Sequence, residues 1–167
     1  MEEPSIQPTS VNHLDLQEKN LARQLDWIGR HDTKASVALG LATGMLGILA
    51  SMGPKPSAWT PLVVVLMSPC VVLLGSSFLF VYLGNYPKTG GPKSLIFFET
   101  IAGLPIDEYK TAALSQSRED YLQDLLTQSH VVASIVARKF WALKWAYRML
   151  FLALPPWAAC IYLFKAA

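Results

Sequence analysis

Between Ala35 and Tyr86 the chain carries one charged side chain, Lys55. Around it lie two uncharged runs, Ala35–Met52 and Pro61–Tyr86. Such runs have few folds open to them. As a helix rising 1.5 Å per residue, the first reaches roughly 27 Å, close to the hydrocarbon thickness of a bilayer. In hydrocarbon every backbone N–H and C=O needs a partner, which leaves a helix as the natural single-segment solution. Both runs are therefore read as transmembrane helices, 35–52 and 61–86. Gly53-Pro54 ends the first, an external turn spans 53–60, and Pro61 suits the first turn of the second.

A third apolar run, Met149–Phe164, is short for a crossing. Trp145, Ala146 and Tyr147 lengthen it if Lys144 and Arg148 reach back to the headgroups, giving a span over 144–164. Otherwise it is a buried or interfacial helix. Prolines should bend two of the spans, Pro69 the second and Pro155-Pro156 the third. The fold class is thus all-α membrane protein, with two to three transmembrane helices continuous with cytosolic amphipathic helices.

Charge orients the spans. Lys19, Arg23, Arg30 and Lys34 precede the first, and Lys88, Lys93, Lys110, Arg118, Arg138, Lys139, Lys144 and Arg148 lie between the second and third. The other side holds only Lys55 and Lys165. Basic loops favour the cytosol, so the N-terminus and 87–143 are expected on the cytosolic side of the membrane. Trp59 and Tyr82 or Tyr86 sit at interface levels. The polar N-terminal segment has no leader-like apolar stretch, so the first run should stay in the membrane.

The polar segments also read as helices. Residues 1–10 are expected to be disordered, and a helix over 11–34 then runs without a proline into the first span. Its stripe is Leu14, Leu21, Leu25, Ile28, Asp32, Ala35 and Leu39. Ser117 and Asp120 form a capping box ahead of a second stripe, Leu122, Leu125, Ser129, Val132, Val136, Phe140, Leu143 and Tyr147. The two stripes should pack on each other. Between them, Ser94–Phe98 is a brief strand or a helical turn, and Ile106–Leu114 a short helix.

Several functional classes fall away. The net charge of +2, with no basic run, does not suit a nucleic acid polymer. His13, His31 and His130 lack metal-ligand spacing, and no nucleophile, zinc or phosphate-loop motif is present. No metal or cofactor is expected, and the chain is not read as an enzyme. Glu119, Asp120 and Asp124 read as an exposed helical face, and Cys70 and Cys160 as packing residues.

The remaining candidates each carry two readings. Asp32 and Lys34, at the mouth of the first span, form either a gate or an interfacial anchor, and the carboxylate needs a partner. Gly40, Gly44 and Gly47 bring helices close, within the chain or between copies of it. Lys88 and Lys93 flank a glycine turn that holds either an anion or lies near headgroups. Phe97 and Phe98 stack on a base or pack in a core. Arg138 and Lys139 meet a ligand phosphate or the membrane surface.

One ordered set of short motifs has a parallel. Asp32-Thr33-Lys34-Ala35 opens the first span; Leu95-Ile96-Phe97-Phe98, Ile101-Ala102, Glu108-Tyr109 and Lys139-Phe140 follow in that order. This order, over about Leu21 to Leu163, resembles the transmembrane Pycsar effector family, departing from it at Glu99-Thr100 and Phe140. The resemblance implies an anti-phage membrane effector. A partner nucleotide cyclase would supply cyclic CMP or cyclic UMP, and the effector, as a homo-oligomer, would impair the inner membrane. The nucleotide is expected near Lys88, Lys93, Phe97, Phe98, Arg138 and Lys139. Rival expectations are an effector gated by a cyclic oligonucleotide or a protein, and a structural subunit that permeabilises nothing.

Overall fold

The computed structural model describes residues 12–55, 59–86 and 92–166. Five helices follow in order: α1, His13–Met52; α2, Pro61–Asn85; α3, Phe98–Gly103; α4, Ile106–Ser115; and α5, Arg118–Ala166. No strand occurs among the described residues, and α1, α2 and α5 are long and apolar enough to cross a membrane. The chain divides into two units, Met1–Asp26 with Thr89–Ser134, and Trp27–Lys88 with Ile135–Ala167. Both α1 and α5 contribute to each.

The second unit is apolar and packs three helices along one repeat. On α1 the buried residues are His31, Ala35, Ala38, Ala42, Met45 and Leu49; on α2 they include Cys70, Leu74, Ser77, Val81 and Gly84. On α5 they include Leu143, Ala146, Leu150, Ala153 and Cys160. Alternating steps of three and four, or seven together, keep these positions on a seam of 3.5-residue period. Ser77 Oγ donates to the Ala146 carbonyl at 3.0 Å, Trp157 Nε1 to Met45 at 3.0 Å, and the Tyr147 hydroxyl to Lys34 at 3.1 Å. These pairings run α1 and α5 parallel, with α2 antiparallel to both. Both cysteines are free and buried in one cluster.

Outside the seam the unit exposes Val37, Leu41, Val65, Val72, Phe151 and Leu152. In water this apolar surface would be costly, whereas hydrocarbon solvates it. Thr60 caps α2, its Oγ1 accepting the Val63 N–H, with Pro61 in the first turn. Pro69 lies within α2 and Pro155 and Pro156 within α5, and both helices continue through them.

The first unit is polar. Ser117 and Asp120 make the expected capping box: the Asp120 N–H donates to Ser117 Oγ at 3.1 Å, and the Ser117 N–H to Asp120 Oδ2 at 3.3 Å. Within this unit α1 meets α5 through polar contacts. The Tyr121 hydroxyl donates to Glu18 at 3.1 Å, and Arg118 to Asn12 at 2.9 Å. Ser94–Phe98 forms a turn that leads into α3 rather than a strand, and α4 covers the short helix expected after Pro105.

The stripe on α1 needs correction. Leu25, Asp32 and Leu39 are exposed, and Gln24, His31 and Ala38 occupy the seam beside Leu14, Leu21, Ile28 and Ala35. A strict 3.5 repeat places the seam one residue earlier at these three points. Asp124 is also corrected: it is half-buried and accepts the Leu95 N–H at 3.0 Å.

Gly84 sets how closely the helices meet. A Cβ there would lie 3.0 Å from the Ala142 Cβ and 3.8 Å from His31 Nε2. Replacing Gly84 with valine is expected to destabilise the apolar unit by about 1–3 kcal/mol through overpacking. Thermal unfolding in detergent micelles reads this, and an unchanged midpoint would contradict the close approach.

Candidate functional site

Two clusters stand out, one in each unit. In the apolar unit His31 is 1% exposed, and both of its ring nitrogens are engaged. Nε2 lies 2.9 Å from the Lys139 carbonyl oxygen, and Nδ1 3.0 Å from Asp32 Oδ1. A carbonyl and a carboxylate only accept, so the ring serves both contacts when each nitrogen carries a proton. The Phe140 ring meets the imidazole edge-on, centroids 5.6 Å apart. Lys139 Nζ donates to the same Asp32 oxygen at 2.6 Å and to Asn85 Oδ1 at 3.4 Å. One carboxylate thus receives bonds from α1 and α5, and Lys139 adds a contact to α2. Burial alone would raise the Asp32 carboxyl, but the bonds and charges of Lys139 and His31 outweigh it and hold it below its ordinary value.

In the polar unit a cavity of about 440 Å³ is lined by Pro92, Lys93, Ser94, Leu95 and, from the other wall, Gln116, Gln123, Asp124 and Thr127. Ser94 is buried, and its Oγ accepts the Ile96 N–H at 3.2 Å. The Leu95 N–H bonded to Asp124 ties this turn to α5. Nearby, Tyr121 is raised above its ordinary value, first by burial and then by its bond to Glu18.

The candidates named from sequence fall apart into these places. Lys93 lines the cavity, while Phe97 and Phe98 pack on each other with centroids 4.8 Å apart and are not among its lining residues. Lys88 lies outside the described residues. Arg138 is exposed and belongs to the apolar unit, as does Lys139, whose ammonium is engaged by Asp32. Lys34 is exposed, with its carbonyl taken by Tyr147. Open space surrounds the Cβ positions of Gly40, Gly44 and Gly47, so these glycines do not seat α1 on α2. Sequence reasoning passed over His31, Asn85 and Gln123. His31 had a signal in the 3.5-residue repeat of Gln17, Gln24 and His31, which aligns with Ala38 and Met45.

A three-helix apolar seam, a polar helical unit and an ion cluster between helices define a multi-pass helical membrane protein. The family model for the Pycsar effector protein domain matches residues 16–165, and the chain belongs to that family. Comparison with curated proteins and with solved structures gives no match.

Replacing Asp32 with asparagine removes the shared carboxylate and is expected to lower stability at neutral pH by about 1 kcal/mol, since the group is half exposed and screened. The folded carboxyl sits below its ordinary 3.8, so its contribution is whole above that value and is lost as pH falls through the folded value. Unfolding measured in micelles below about pH 5 should show the gap between the native chain and the variant closing as the acid strengthens. A gap that widened in acid would contradict the assignment.

Proposed function

We propose that this chain is the membrane effector of a bacterial anti-phage system of the Pycsar type. A cyclic mononucleotide, cyclic CMP or cyclic UMP made by a partner cyclase, activates it, and it then impairs the inner membrane and arrests the infected cell. The observation that carries this reading is the family match over 16–165, which takes in the polar and the apolar unit alike. The three apolar helices support a direct action on lipid. The basic residues around 19–34 and 93–148 favour a cytosolic N-terminus and a cytosolic polar unit, where a soluble messenger is met.

In this reading Lys93, which lines the cavity of the polar unit, meets the nucleotide phosphate. Lys139, already held by Asp32, belongs to the gate together with Asp32 and Lys34. Because α1 and α5 contribute to both units, a change in their packing in the polar unit is carried along the helices themselves. The ligand must favour the active packing by about 5.5 kcal/mol to convert a population from 1:99 to 99:1. The open face of Gly40, Gly44 and Gly47 suits a second copy of the chain.

Dye-loaded liposomes holding the purified chain test the proposal. Cyclic CMP or cyclic UMP is expected to release dye, and Lys93→Ala to raise the concentration required about tenfold, through loss of a charge-assisted contact. Liposomes that stay sealed with every cyclic mononucleotide would refute the effector reading.

A further inference from the structure

We infer that the cavity between the Pro92–Leu95 turn and α5 seats the nucleotide, and that Asp124 makes it select a base bearing an exocyclic amine, cytosine over uracil. The inference rests on the effector reading above and names the site and the selectivity within it.

The volume of about 440 Å³ falls within the range of small-molecule sites. The lining is chemically asymmetric. Lys93, on the turn, is the one cation among its described lining residues and suits a cyclic phosphate. The α5 wall presents acceptors. The Thr127 hydroxyl donates to the Gln123 carbonyl at 2.9 Å, so it offers a guest its lone pairs. Asp124 Oδ2 takes the Leu95 N–H, which fixes the carboxylate against the turn. An ionised carboxylate has about four acceptor sites, and this bond uses one.

The turn itself is well held. Ser94 is 3% exposed, its N–H donates to Thr100 Oγ1 at 3.4 Å, and its Oγ accepts from Ile96. The wall opposite Asp124 is therefore formed before a guest arrives.

Discrimination follows from what each side chain can present. Gln116 and Gln123 carry amides, which turn over to meet either a donor or an acceptor. Asp124 has no such freedom while ionised. Cytosine offers its N4 amine, which an acidic side chain accepts; uracil offers O4 at the same place, acceptor against acceptor. A guest with a phosphate for Lys93 and an amine for Asp124 satisfies both charged groups, and cyclic CMP has both.

Calorimetry on the full chain in detergent, titrated with cyclic CMP and with cyclic UMP, tests the inference. The native chain is expected to bind cyclic CMP about tenfold or more tightly than cyclic UMP. Asp124→Asn keeps an oxygen for the Leu95 N–H and adds an NH₂ that pairs with a carbonyl, so it should bring the ratio near one. Lys93→Ala should weaken both nucleotides alike and leave the ratio standing. Equal affinities in the native chain, a preference for cyclic UMP, or a ratio that Asp124→Asn leaves unmoved would overturn the selectivity while sparing the effector reading. Absence of binding by either nucleotide would remove both. The native ratio decides even if a variant fails to fold.

Discussion

Helices immersed in hydrocarbon gain nothing from hiding leucine from lipid, since lipid is as apolar as leucine. What holds them is close approach, and close approach needs small side chains. The apolar unit meets this condition with Ala35, Ala38 and Ala42 on α1, Gly84 on α2, and Ala142, Ala146 and Ala153 on α5. Once the backbones are near, side chains reach helix carbonyls on a neighbour, as Ser77, Tyr147 and Trp157 do. Such bonds contribute about 0.6–2 kcal/mol each, so several are needed. The contact of His31 with the Lys139 carbonyl depends on the same economy of size, because Gly84 and Ala142 leave the imidazole its room.

The ion cluster is the polar counterpart of that seam. A half-exposed carboxylate with one ammonium contributes little by itself. Here the carboxylate also meets a buried imidazole, and the ammonium also meets Asn85, so one group reports on three helices. A change in how α1 lies against α5 within the apolar unit must break or remake this cluster.

Much of the fold was legible because the absence of charge is so strong a signal: α2 is uncharged throughout, and the helical stripe of α5 runs unbroken into its last span. The seam of α1 was harder to read for the physical reason above. Leu39 looks like a core residue by the rules of water, yet it is exposed, while Ala38 and Ala42 are buried. The site was less legible still. The partners of His31 and Asp124 include backbone groups of Lys139 and Leu95, and a backbone group leaves no mark in a sequence. Lys93 was visible as a cation, but the amides and carboxylate that share its cavity come from residues more than twenty positions away.

Proline has no amide hydrogen, so each proline inside a helix strands the carbonyl four residues before it. In α2 that oxygen belongs to Val65; in α5 the oxygens belong to Phe151 and Leu152, and all three side chains face outward. Hydrocarbon has nothing to offer such an oxygen. Where these helices cross a bilayer, they present it with small polar blemishes that attract water or a donor from a neighbouring molecule.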